Sequence, residues 1–282
     1  MKNSFNILVP TDYSETSSAV LEYAMQISEQ LSATIYLLHA YQFPVFPVEM
    51  SAQAIGIELQ DIEDEAEAKM TALVKDLQQK YKNATICSLV NYGPVETMID
   101  ELVEDKKIDL LLLASKGGNA TEALLFGSIC ADSIGKVKCP IIIVPKNYII
   151  GEIRRIAYAA SWIEDDDIKG IKNLLPLANA FKARITIVHI YSSTEHYTEA
   201  DRHRYEAKLL EVVGYSNVEF NIIKSEDFNR SMEEYVKEDK IDLLVMVTHP
   251  RFLFEGLYHP SFTKKILWHL NTPLLVLYAG NL

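Results

Sequence analysis

The chain has 282 residues, 49% of them hydrophobic and 23% charged, with a net charge of −12. That balance excludes a disordered chain and leaves room for two cores of about 140 residues each. The negative charge, with no Lys/Arg run longer than two residues, disfavours a nucleic-acid partner. No apolar run approaches the roughly 20 residues of a membrane span, and the opening segment lacks an apolar signal core. These features predict a cytoplasmic protein that does not engage the membrane. Cys87, Cys130 and Cys139 contain no C-x-x-C pair, so we expect buried small hydrophobes rather than disulfides or a zinc site.

Read in chain order, short apolar runs alternate with amphipathic segments, the pattern of βαβ units around a parallel sheet. Strands are predicted near 5–10, 34–41, 84–91, 109–114 and 140–144. Helices are predicted near 14–31, 55–81, 94–105 and 128–137. The order then recurs, with strands near 154–160, 184–191, 217–223, 242–248 and 273–278 and helices near 166–182, 198–213, 229–238 and 261–270. Local matches support a duplication. Ala33 to Tyr41 reads ATIYLLHAY and Ala183 to Tyr191 reads ARITIVHIY, with His39 and His189 in one column. The stretches around Asp109 and Asp242, and the runs Cys139 to Pro145 and Thr272 to Tyr278, match in the same order. The expected fold is α/β, with two tandem doubly wound domains at 1–147 and 151–282, each a five-stranded parallel sheet with about four helices.

Ligands of such sheets bind beyond the carboxyl ends of the strands, which directs attention to Pro10–Glu15 and Ser115–Phe126. The second loop reads Ala114, Ser115, Lys116, Gly117, nine residues, then Gly127 and Ser128 opening a helix. Glycines let backbone amides approach phosphate oxygens, and a helix N-terminus adds unpaired donors. Lys116 is placed to supply a countercharge.

This spacing resembles the universal stress protein family, whose nucleotide-binding members carry G-x-x-G, nine residues, then G-[S/T] after the fourth strand. The resemblance spans the whole chain and implies an adenine-nucleotide α-hydrolase-like fold that takes ATP or ADP, with or without magnesium. It places Pro10, Thr11 and Asp12 near the ribose and Ala40 beside adenine. Leu113, Ala114, Lys116, Gly117, Gly127, Ser128 and Ile129 fall around the phosphate loop. Ala114 departs from the pattern, standing where the family has its first glycine. The resemblance also implies pairing through last strands, so Ile141–Val144 and Leu274–Leu277 are the expected seam. It further implies a homodimer, with protein partners unspecified.

In the second copy Val247, Thr248, His249, Pro250, nine residues, Pro260 and Ser261 align on the motif, and every motif glycine is gone. The prolines remove backbone donors. Ser161 replaces Asp12, and Glu164 to Asp167 set four carboxylates beside the expected phosphate position. This site is predicted dead, its space filled by Phe252–Phe254 and Tyr258.

Plainer readings accompany these. Asp12 suits a turn that bonds its own backbone, and Ser128 suits an N-cap. His39 and His189 suit structural hydrogen bonding, and the acids at 164–167 suit a helix dipole better than magnesium. Tyr41 to Pro47 (YQFPVFP) reads as a lid or a partner contact. No catalytic residue is assigned, because the chain lacks Walker A, G-x-G-x-x-G, G-x-S-x-G and SGGxDS sequences. The function read from the sequence is stress-related nucleotide binding. The competing classes are a scaffold acting through protein partners and a slow ATPase using the same pocket.

Overall fold

The computed structural model describes residues 5–48, 51–115, 128–134, 136–146, 148–160, 162, 164–194, 198–248 and 271–278. The chain divides into two compact units. One runs through Leu113, and the other holds Ala114, Ser115 and the described chain from Ser128 onward.

In the first unit β1 (Asn6–Pro10), α1 (Glu15–Leu31), β2 (Thr34–Tyr41), α2 (Ala52–Lys80), β3 (Thr85–Tyr92), α3 (Val95–Asp105) and β4 (Leu110–Ala114) follow one another. The strands lie in the order β3-β2-β1-β4, all parallel, with Ile7 opposite Ile35 and Leu110 and Ile35 opposite Ile86. Central strands are buried on both faces, which is why Ile7–Val9 and Leu110–Leu113 read as unbroken apolar runs. Helix α1 begins where the Ser14 side chain accepts the Ser17 N–H and stops at Ser32, whose φ of 50° turns the chain left-handed.

The second unit contains α4 (Ser128–Ser133), β5 (Ile141–Val144), β6 (Arg155–Ala159), α5 (Glu164–Phe181), β7 (Arg184–Tyr191) and α6 (Glu199–Val213). It continues with β8 (Val218–Lys224), α7 (Phe228–Glu238), β9 (Leu243–Thr248) and β10 (Leu274–Tyr278). Its strand order is β5-β10-β9-β6-β7-β8. Five strands are parallel, and β5 runs antiparallel to β10 with Ile143 opposite Leu274. The expected pairing of Ile141–Val144 with Leu274–Leu277 is therefore present as a ladder. The helix expected at 261–270 lies outside the described residues.

Non-glycine residues with positive φ fall in matched pairs: Tyr13 with Trp162, Ser32 with Lys182, and Lys107 with Lys240. Each left-handed residue costs about 1–2 kcal/mol, so both copies have kept the same turns despite different side chains. The repeated aspartate has an equally local cause. Asp109 accepts the backbone N–H of Asn6 at 2.9 Å, and Asp242 accepts those of Arg154 and Arg155, each at 2.8 Å. Each carboxylate thus satisfies donors at the start of the neighbouring strand. Asp242→Asn, which weakens two charge-assisted bonds, is expected to lower unfolding free energy by about 1–2 kcal/mol in urea denaturation.

Two of the three cysteines are buried as expected, and burial pushes the Cys130 thiol up to about 12. Cys87 is exposed. It lies on β3, which among the described residues has a neighbouring strand on one side only.

Candidate nucleotide site

The first-copy site begins where β1 ends. The Thr11 N–H donates to Leu38 O at 2.8 Å, continuing the β1·β2 ladder one residue past Pro10. The buried Thr11 hydroxyl then pairs with Ser17 Oγ at 3.1 Å and accepts the Tyr13 N–H at 3.1 Å. Its side chain organises the loop and faces inward. Asp12 is exposed, and its Oδ1 accepts the Ser14 N–H at 3.0 Å. The plain turn reading of Asp12 is thereby met, and the same bond fixes the carboxylate at the exposed mouth of the loop.

On β2 the side chain of His39 turns back onto this loop, Nδ1 lying 2.9 Å from Thr11 O. The Tyr13 ring packs on its imidazole, centroids 4.4 Å apart. His39 is accordingly a structural histidine that ties two strand ends together. Half-buried Ala40 follows it, at the same end of the sheet. Farther along, Phe43 stacks on Tyr92 at 4.4 Å, with Tyr41 edge-on to Phe43 at 5.5 Å. These side chains form an aromatic surface at the ends of β2 and β3. Burial, then Glu63 and Glu67, raise the Tyr41 pKa.

Of the other predicted residues, Leu113 is buried, so only its backbone is placed to serve a ligand. Ala114 ends β4, and the Ser115 N–H after it donates to Val144 O at 2.9 Å. Ser128 opens α4, followed by half-buried Ile129. Lys116, Gly117 and Gly127 lie outside the described residues, as do Phe252–Phe254 and Tyr258. Among the described residues no group of three or more His, Cys, Asp or Glu side chains could hold a metal ion, and no helix is long and apolar enough to cross a membrane.

The second copy corrects one expectation. Asp167, counted among four carboxylates facing the would-be phosphate position, is fully buried. It accepts the hydroxyls of Tyr158 at 3.2 Å and Tyr205 at 2.8 Å. A carboxylate without water needs such partners, and here they come from β6 and α6. Burial, reinforced by the Asp167 charge, holds the Tyr158 pKa well above its ordinary value. Trp162 takes the place of Tyr13, with φ of 65° against 61°, and it too packs on the β2-equivalent histidine, 4.3 Å from His189. His189 Nδ1 lies 3.5 Å from Ala160 O, the counterpart of the His39 contact. Neither Tyr13 nor Trp162 stood out in the sequence, although each sits immediately beyond the position of Asp12 or its replacement.

Comparison with known proteins accords with this geometry. The model of the universal stress protein family matches residues 4–145 and again 152–277. A universal stress protein of Methanocaldococcus jannaschii is 27% identical over 143 residues, covering 50% of this chain and 81% of the relative. A second from the same organism is 22% identical over 152 residues, covering 50% and 94%. In fold, the chain is similar to the crystal structure of a universal stress protein from Archaeoglobus fulgidus, with a TM-score of 0.73 and 17% identity over 99% of this chain and 100% of that one. With its mostly parallel sheet strands, flanking helices and two successive matches, the chain belongs to the universal stress protein family.

Proposed function

We propose that this chain is a stress-related regulatory protein that binds ATP or ADP, with or without magnesium, in its first domain (1–147). Its second domain (151–282) has lost that capacity. The observation that carries this reading is the loop after β1, where the exposed Asp12 carboxylate is held by Ser14 and the strand end is tied to β2 through His39. A carboxylate fixed at a strand's carboxyl end is positioned to accept hydrogen bonds from ribose hydroxyls. The sequence adds Gly117, Gly127 and Ser128 at phosphate-loop spacing. Binding itself is the output, through a surface that protein partners read, and the chain works as a cytoplasmic homodimer.

The test is isothermal titration of Mg-ATP and ADP into the purified chain, alongside Gly117→Val. The reading expects binding in the parent and at least a tenfold loss in the variant, whose side chain obstructs backbone approach to phosphate. No heat at millimolar nucleotide from a folded chain would reject it and favour a scaffold.

A further inference from the structure

The second domain carries an arrangement that the loss of its glycines does not explain. Trp162 packs almost parallel to His189, centroids 4.3 Å apart at 27°, and to Tyr205, centroids 3.9 Å apart at 16°. Two rings that close to the indole cannot share one of its faces without colliding, so Trp162 lies between them. The outer rings are held without it. His189 belongs to the β7 ladder and reaches Ala160 O, and Tyr205 is tethered by its hydroxyl to Asp167, which Tyr158 also holds. The filling residue, by contrast, adopts a backbone conformation that a bulky side chain disfavours, at φ 65°. The first domain has the strained aromatic and the histidine, in Tyr13 and His39, but no third ring from its second helix, because α2 contains no aromatic residue.

We infer that His189 and Tyr205 form a clamp for one planar heteroaromatic ring and that Trp162 is its built-in occupant, closing the second domain by self-binding. The nucleobase-like ligand class follows from the clamp, since two parallel walls one ring apart select flatness and π character over shape or charge. A ring stacked on one aromatic wall gains about 5- to 150-fold in affinity. An external base would have to displace a tethered indole already holding both walls, so the intact domain stays closed. This goes beyond absence of binding: it assigns the occluding residue and predicts that a site reappears when that residue is removed.

Trp162→Gly is the decisive variant, because glycine adopts the left-handed backbone freely while removing the ring. Indole is the probe, read by thermal shift and titration. The expected result is saturable stabilisation of Trp162→Gly by indole at millimolar concentration, absent in the parent. Adding Tyr205→Leu, which takes away one wall, should weaken it at least fivefold. A folded Trp162→Gly chain that ignores indole, or a parent that binds it equally, overturns the clamp. Should Trp162→Gly fail to fold, Trp268→Phe leaves Trp162 as the only tryptophan. In that chain, removing the imidazole wall with His189→Gln should at least double acrylamide quenching of Trp162, and unchanged quenching overturns the proposal. Neither arm depends on nucleotide binding by the first domain.

Discussion

Replacing Asp167 by alanine is expected to lower the unfolding free energy by about 3–4 kcal/mol, measured by urea denaturation at neutral pH. Asp167 is fully buried and accepts the hydroxyls of Tyr158 and Tyr205. Tyr158 is itself completely buried, and Tyr205 nearly so. Truncation takes the carboxylate acceptor from both buried hydroxyls, each loss costing about 1–3 kcal/mol; it leaves Tyr158 only the weaker contact to the carbonyl of residue 167 at 3.4 Å and opens a cavity as well. Asp167→Asn separates shape from charge, since its amide oxygen still accepts one hydroxyl, and should cost about half as much. If Asp167→Ala unfolds with the parent's midpoint and slope, the carboxylate is not a core element of this domain.

Gly170→Ala is expected to destabilise by about 1–2 kcal/mol, although alanine is the better helix former by about 1 kcal/mol. Gly170 lies in α5 directly over Tyr158. A methyl group there would run into Tyr158 Oη and press on Val247 Cγ2 at 3.1 Å and Tyr158 Cζ at 3.2 Å. The tyrosine cannot move aside without giving up its bond to Asp167, so overpacking, typically about 1–3 kcal/mol, outweighs helix propensity. The same geometry predicts coupling. In a Tyr158→Phe background the obstructing hydroxyl is gone, and Gly170→Ala should cost at least about 1 kcal/mol less. Equal costs in both backgrounds would show that the methyl group is accommodated some other way.

Most of the fold was legible because its cause is local. The runs Ile7–Val9 and Leu110–Leu113 announce buried parallel strands, and the repeat of ATIYLLHAY as ARITIVHIY reproduces β2 as β7 with identical bounds relative to the histidine. Errors fell where a single side chain decides. Helix α2 begins at Ala52, three residues earlier than apolar spacing indicated, because the Ser51 hydroxyl accepts the Ala54 N–H. Helix α4 ends at Ser133 rather than 137, where the N–H groups of Lys136 and Val137 both turn back to Ser133 O. Cys87 reads as a buried small hydrophobe because it has no C-x-x-C partner, but it is exposed on a strand at the sheet edge.

The candidate site was legible to different depths in the two copies. Asp12 could be placed from a strand end and Ala40 from the family resemblance, whereas the role of Thr11 could not be read, since its hydroxyl turns inward to Ser17. In the second copy the acidic run looked like one feature, but burial divides it. Asp165 remains exposed while Asp167 enters the core, and its partner Tyr205 lies 38 residues away on another helix. No local pattern connects them. The stack of Trp162 on His189 was similarly hidden, because the imidazole and indole meet only once β7 and the loop after β6 are assembled.

The two copies share backbone turns and differ in what fills them. Equilibrium dialysis of the purified chain against labelled ATP, carried to saturation, counts the sites directly. One nucleotide per chain is expected, lost in Gly117→Val and unaffected by Asp242→Asn. Two nucleotides per chain, or one that survives Gly117→Val, would contradict it.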